Sequence, residues 1–480
     1  MDGKGKAPDT QGVQSASTSN IRNIPKLLRG IIDNAKPINF REKSAKVTLK
    51  DYRVWSIDEL QKTINKNDIG IYSDWKNVFI YETTHWVEID SKVFSTFLSD
   101  LVIYYGVPFA DARDFKFKQD LFNQFLSESD IKKEILDVNI VKINLKNGTL
   151  VIDKGHQYME AHNKNNYFYY TLDFDYNPES KSPLFDKFIT QSLPDQESIK
   201  FLFEYCGTIF IRNESETFKN EVILALLGKG SNGKSVLKDI LTALFGGKEN
   251  VTSYGLDKLT DENGHSRYQI KNKLLNFSAE TKRTVESNYL KTLASGEEVD
   301  ARIRYGAQTQ IRDYAKIIVN LNGNLIGRDN TPAYYRRFKI IPFDNIVEEK
   351  DKDKMLAKKI IKNELSGVLN QILQALERYI KNDGNFTESK AINNALAKYK
   401  IEDNSVLYFL EQEEFFIATS YKPTNEIFLQ YVEFCNSYKN KPYAIQTFNK
   451  ILENAEINGE KVKITRGRPV SANIDNNPIY

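Results

Sequence analysis

The chain has 480 residues and a formal net charge of +3, so about three domains of ~150 residues are expected and any nucleic-acid surface must come from local patches. Two cysteines, Cys206 and Cys435, exclude a disulfide scaffold and a Cys-rich zinc site, and four scattered histidines offer no metal-ligand spacing. No run approaches the ~18 apolar residues of a membrane span and no signal peptide leads the chain, so a soluble, intracellular protein of the cytoplasm with no membrane partner is expected.

Residues 1–59 read as a tail and lead-in, partly disordered, because the first 20 residues are rich in Ser, Gly, Asp, Gln and Thr. Residues 60–180 suggest a small α+β domain. Alternating apolar positions from Asp68 to Asp90 predict a short antiparallel sheet, and helices are expected near Phe94–Tyr105 and Asp120–Leu136. Two strands between Val141 and Ile152 flank Asn147-Gly148, a strong hairpin signal, and Tyr167–Tyr176 adds another strand.

Residues 181–400 carry the chemistry. The apolar run Val222–Leu227 has the length and branching of a buried strand. Gly228-Lys229-Gly230-Ser231-Asn232-Gly233-Lys234-Ser235 follows, with the spacing of a nucleotide-binding P-loop, and Val236–Phe245 continues as an amphipathic helix ended by Gly246-Gly247. Glycines let backbone N–H groups close around phosphates, and the helix N-terminus adds positive potential. Lys234 is expected to reach the terminal phosphates of ATP and Ser235 to hold Mg²⁺. Lys273–Ala279 is a mostly apolar strand leading to Glu280, placed to polarise the attacking water and to lie near the metal. Ile317–Leu321 leads to Asn322, which could orient that water, and Arg336-Arg337 open the apolar strand that ends Ile341-Pro342-Phe343. A long helical pattern runs from Lys350 to Lys381, ended by Asp383-Gly384-Asn385.

Residues 401–480 predict short helices at Thr424–Ser437 and Ala444–Asn454, then a basic ribbon from Glu460 to Pro469. Helices followed by a ribbon suggest a winged-helix-like DNA-binding module. Gln446, Thr447, Asn449 and Lys450 would face a duplex groove, while Ile445, Phe448, Ile451 and Leu452 face the module's core. Lys461, Lys463, Arg466 and Arg468 would meet phosphates or the minor groove. A helical cap packed on the ATPase is the bland alternative.

The ordered set of Lys234/Ser235, Glu280, Lys291 with Ser295-Gly296-Glu297, Arg302-Ile303-Arg304-Tyr305, Asn322 and Arg336-Arg337 resembles the superfamily 3 helicases. These are AAA+ ATPases, and the likeness is to the phage- and plasmid-type branch allied to the poxvirus primase-helicase. It covers about residues 60 to 480 and takes in the Asn147–Leu150 hairpin and the Tyr176–Phe188 stretch as a helicase-associated amino-terminal domain. It implies an α/β fold: an AAA+ P-loop ATPase core, an α+β amino-terminal domain and a winged-helix-like carboxy-terminal module. The implied activity is ATP-dependent unwinding by a homo-hexameric ring in a mobile element's replication, with 3′→5′ travel and possible origin recognition. Single-stranded and duplex DNA are the implied partners, with a separate primase or polymerase assisting. An arginine finger would enter the neighbour's site, Arg337 favoured and Arg336 second. A channel hairpin over Asp300–Asp313 would offer Arg302, Arg304 and Tyr305 to single-stranded DNA, with Lys291 nearby.

Two departures stand out. Ala279 occupies the place of a second acid, so Mg²⁺ would rest on Ser235, phosphates and water with Glu280 the sole acid. Asn320 or Asn324 could replace Asn322, since the usual Thr-Asn followed by Pro is missing. Residues 1–60 are too short for a catalytic primase fold, so primase activity is not expected in this chain. Two other classes compete: a P-loop ATPase that remodels a protein complex without translocating on DNA, and a non-enzymatic origin-binding protein.

Overall fold

The structure is a computed structural model that describes residues 20–74, 76–128, 140–153, 155–193, 195–213, 220–228, 232–278, 284–303, 306–321, 326–327, 332–345, 353–412, 424–437, 441–457 and 460–461. The chain divides into two compact units, residues 1–176 with 246–250, and residues 177–245 with 251–480.

The first unit contains two three-stranded antiparallel sheets and several helices. Ile71–Ser73, Val78–Tyr81 and Trp86–Ile89 form the sheet expected from alternation. The unit starts earlier than position 60. Ile24, Leu28 and Ile31 recur at helical spacing on Asn20–Asn34 and enter the same core as Leu60, Phe94 and Phe125. Helix Leu49–Lys66 opens on a capping box in which Thr48 and Asp51 satisfy each other's backbone N–H groups. The lead-in is therefore folded from residue 20 onward because it completes a core.

The second sheet pairs Val141–Leu145 with Gly148–Asp153, in register Leu145 to Gly148, so the turn residues are Lys146 and Asn147. Gly148 opens the returning strand at φ 142°, and a Cβ there would stand 2.6 Å from the Glu160 carbonyl oxygen. The third strand is His156–Glu160, not the Tyr167–Tyr176 stretch. That stretch makes one isolated bridge, Leu172 to Leu145, and spends Tyr167 and Phe168 on packing instead of a ladder.

The second unit is built on a five-stranded parallel sheet. In chain order its strands are β1 (Ile223–Leu227), β2 (Val251–Thr252), β3 (Leu275–Ser278), β4 (Lys316–Leu321) and β5 (Phe338–Pro342). Across the sheet they run β5-β1-β4-β3-β2. β1, β3 and β4 are almost wholly buried, as near-continuous apolar runs in a covered parallel sheet should be. The mixed α/β class with a parallel sheet follows from the strand–helix alternation in this half of the sequence.

The helical pattern at 350–381 is two helices, Leu356–Asn363 and Leu365–Lys381. The break falls at Glu364, which is 6% exposed and whose carboxylate accepts hydrogen bonds from the Leu184 and Phe185 N–H groups at 3.2 and 3.0 Å. Those are orphan donors at the start of helix Pro183–Ser192, so one helix gives up its continuity to cap another.

Helix Lys390–Asp403 spans the expected boundary at 400 and packs Tyr399 against Phe338 of β5. Beyond it, Ser405–Gln412, Thr424–Ser437 and Ile445–Glu453 enclose a separate core of Val406, Phe409, Ile427, Tyr431, Phe448 and Leu452. A two-stranded ribbon follows, Glu456–Ile457 with Glu460–Lys461. Among the described residues no helix is long and apolar enough to cross a membrane.

Candidate nucleotide site and channel hairpin

The glycine loop leaves the carboxyl end of β1 and enters α1 (Lys234–Leu244). Its first residue is pinned on both sides. Gly228 N–H donates to the Leu321 carbonyl of β4 at 3.1 Å, and Phe343 N–H, just past β5, donates to the Leu227 carbonyl at 2.7 Å. A side chain at Gly228 would collide with the Asn232 amide and stand 2.5 Å from the Phe343 carbonyl oxygen, so close backbone approach demands glycine. Gly233 turns the chain into the helix at φ 89°, a left-handed conformation.

Lys234 is only 5% exposed. Its Nζ donates to the Gly228 carbonyl at 2.6 Å and to Asn232 Oδ1 at 3.1 Å, and burial holds its pKa below the ordinary lysine value. Asn232 Nδ2 donates in turn to the Phe343 carbonyl at 2.6 Å. The ammonium is thus folded into the loop on neutral oxygens, where an anion would offer stronger partners. Ser235 is exposed at the start of α1. Neutral acceptors around a buried lysine, an exposed serine and a helix N-terminus together fit a triphosphate with its magnesium ion. Lys229, Gly230 and Ser231 lie outside the described residues.

Glu280, Asn322 and Asn324 also lie outside the described residues, but the strands that lead to Glu280 and Asn322 do not. β4 lies between β1 and β3, pairing Leu321 with Leu227 and Val319 with Ser278. All three strands are parallel, so their carboxyl ends share one edge of the sheet. Ligands of open parallel sheets bind at that edge. Asn320 of β4 is 8% exposed, and its Oδ1 has no hydrogen-bond partner among the described residues. A buried amide oxygen left without a donor costs about 1–3 kcal/mol, so it is suited to accept from a bound water.

The two arginines sit at the opposite edge, before the first residue of β5, and differ from each other. Arg336 is exposed. Arg337, favoured from sequence as the finger, is 8% exposed, and its Nη2 donates to Ser295 Oγ at 3.1 Å and its Nε to the Lys291 carbonyl at 3.4 Å. Both acceptors belong to α2 (Ser287–Ser295). Lys291 is half-buried on that helix.

The segment after α2 is a hairpin, Val299–Arg302 paired antiparallel with Gln308–Ile311, where the channel hairpin is expected. Arg302 is exposed on it; Arg304 and Tyr305, at its tip, lie outside the described residues. Sequence reasoning passed over Arg267, on the short helix His265–Tyr268, which is 1% exposed. Its Nε donates to the Asp300 carbonyl at 2.6 Å and its Nη1 to the Leu259 carbonyl at 2.9 Å and to that of Asp261, while the guanidinium lies 3.8 Å from the Tyr289 ring centre. Burial pulls its pKa below the ordinary arginine value. No motif marks it; a lone arginine in a polar stretch carries no signal until the fold closes over it.

In the last helix, Gln446, Thr447 and Lys450 are exposed, Phe448 and Leu452 are buried and Ile451 is half-buried. Ile445, expected in the core, is 38% exposed because it is the first helical residue, ahead of the turn that packs. Asn449 is half-buried, and its Oδ1 has no partner among the described residues. Lys461 ends the ribbon; Lys463, Arg466 and Arg468 lie outside the described residues.

Comparison with known proteins gives two family matches: residues 50–194 match "D5 N terminal like" and residues 226–337 match "Family of unknown function (DUF5906)". No curated protein matches. Among solved structures the chain is similar to an apo form of the NrS-1 C terminal region, at 14% identity and TM-score 0.44 over 73% of this chain and 78% of that one. A second structure of that region, residues 305–718, aligns with 87% of this chain and 98% of that one at 16% identity and TM-score 0.41. The chain thus carries a D5-like amino-terminal segment followed, after a short gap, by a match that begins in β1 and ends at Arg337.

Proposed function

We propose that the protein is an ATP-dependent DNA helicase of phage-type replication, with the P-loop edge as its hydrolytic site. One observation carries the reading: buried Lys234 and exposed Ser235 open α1 at the sheet edge toward which the strands preceding Glu280 and Asn322 also run. Neighbouring strands are about 4.8 Å apart, which puts the ends of β1 and β3 roughly 10 Å from each other with β4 between them. That spacing between strand ends is of the size that a terminal phosphate and a water need.

In this reading Lys234 exchanges its neutral acceptors for phosphate oxygens, Ser235 holds Mg²⁺, and Glu280 takes the proton of the attacking water. Mg²⁺ neutralises phosphate charge when bound. Asn322, which follows β4, or Asn320 within it, orients the water. A ring of six supplies Arg336 from the adjacent subunit, since Arg336 is the exposed member of the pair and stands on the edge away from its own P-loop. The D5-like segment supports a place in phage replication, and the Arg302 hairpin offers single-stranded DNA a cation. The exposed Gln446, Thr447 and Lys450, opposite a packed Phe448 and Leu452, favour a carboxy-terminal module that reads duplex DNA, including an origin.

The test is magnesium-dependent ATPase activity with and without single-stranded DNA, for the natural chain, Lys234→Ala and Glu280→Gln. The reading predicts stimulation by DNA, lost nucleotide binding in the first variant, and retained binding without turnover in the second. Full turnover by Glu280→Gln, or indifference to DNA, would overturn it. Lys450→Ala in the full chain should weaken protection of a duplex site; unchanged footprinting removes that helix from recognition.

A further inference from the structure

Three buried side chains converge on α2 from three directions. Arg267 lays its guanidinium on Tyr289, in the first turn, and holds the Asp300 carbonyl at the base of the hairpin. Arg337 is bound by Ser295 Oγ and the Lys291 carbonyl in the last turns, and Ser295 Oγ also donates to that carbonyl at 2.9 Å. Tyr314, just ahead of β4, donates from its hydroxyl to the Thr292 carbonyl at 3.1 Å and the Glu297 carbonyl at 2.8 Å. A second tie holds the hairpin's first strand to the same region nearer the turn: Arg302 N–H donates to the Gly264 carbonyl at 3.1 Å. Gly264 sits at φ 69°, where a Cβ would stand 3.0 Å from Arg267 Nη2 and 3.3 Å from Ala301 Cα.

Burying a guanidinium on carbonyls and one ring face is an expensive way to fill space. A leucine or methionine would do so without desolvating a charge. The specific gain is directional: a planar fork fixes three backbone carbonyls relative to one another and to a ring, which an apolar side chain cannot do.

We propose that α2 is the rigid link between the intersubunit arginine and the DNA hairpin, with Arg267 and Arg337 as positioning residues at its two ends. Arg336 is covalently next to Arg337, so closure of a neighbour's ATP site on Arg336 pulls Arg337, through it Ser295 and α2, and through Tyr289 and Arg267 the hairpin base. The proposal rests on the helicase reading above, and it assigns the transmission to named side chains.

The experiment measures DNA-stimulated ATPase and unwinding of the full-length protein for Tyr289→Leu, Tyr289→Phe, Ser295→Ala and the double variant Tyr289→Leu/Ser295→Ala. Ser295 and Tyr289 are bound to Arg337 and Arg267 and stand apart from the P-loop residues in the fold, so DNA-free turnover should stay within about twofold while stimulation and unwinding fall about tenfold in Tyr289→Leu and in Ser295→Ala. Tyr289→Phe keeps the ring face but loses the hydroxyl that also bonds Arg267, so it should retain more stimulation than Tyr289→Leu. The double variant should be no worse than either single one, because each already breaks the same linkage; independent structural roles would add instead. A natural chain with stimulated turnover whose single variants keep it, or whose double variant loses the product of both effects, overturns the linkage alone. A natural chain without any stimulation overturns the helicase reading and the linkage together.

Discussion

The two edges of one parallel sheet carry different side chains. At the carboxyl edge the chain offers a glycine loop, a buried lysine on neutral oxygens and an exposed serine, all at the start of one helix. At the amino edge it offers two adjacent arginines, one exposed and one locked to α2. β5 spans five residues between those edges, roughly 15 Å at the rise of a strand. An arginine ahead of β5 therefore stands at the far edge of the sheet from its own loop, and on the proposed reading it would serve another subunit's site. Strand direction, which motif order alone does not give, separates the residues at the carboxyl edge from those at the amino edge.

The largest expected effect breaks the carboxyl edge. Lys234→Ala should remove measurable nucleotide binding by equilibrium dialysis, since the loop then has no ammonium for the terminal phosphates; retained affinity would show that the loop grips nucleotide by its backbone alone. At the amino edge, Arg336→Ala should bind ATP normally and hydrolyse it about a thousandfold more slowly, the scale of a lost arginine finger. Arg337→Lys should instead shift folding stability and DNA coupling, because a lysine cannot reproduce the fork that meets Ser295 and the Lys291 carbonyl. If the two variants behave alike in single-turnover assays, the distinction between exposed and locked arginine is void.

Away from the sheet the effects are on stability. Phe448→Ala in the carboxy-terminal core should cost about 3–5 kcal/mol by denaturant titration and disorder that module first, since its core is separate from that of the sheet. The smallest effect concerns His85 in the first unit, whose pKa is held below the ordinary value chiefly by burial. Its folded pKa lies below its unfolded one, so it adds a destabilising contribution that grows as pH falls from the ordinary histidine value of ~6.5. Melting curves at pH 7.5 and 5.5 should show a smaller acid loss for His85→Gln than for the natural chain.

Much of the site was legible in sequence because its signals are local. The P-loop needs glycines at fixed spacing, and β1, β3 and β4 are apolar runs that end at the motif residues. The rest depends on contacts between distant segments. Glu364 looks like one more helix former in a continuous pattern, and only helix Pro183–Ser192 explains why the backbone breaks there. Arg337 reads like Arg336 until Ser295 is brought beside it, and Ile24, Leu28 and Ile31 look like part of a tail until the core they complete is assembled.

The most direct measurement of the two-edge account is ATPase complementation in mixed rings. Lys234→Ala and Arg336→Ala subunits, each inactive alone, are mixed in equal amounts, and mixed assembly is verified by native mass spectrometry. Interfaces pairing an intact loop with an intact arginine should then return up to about a quarter of natural turnover, as random mixing of a head-to-tail ring gives. No recovery in verified mixed rings would contradict the assignment of the two edges to two different active sites.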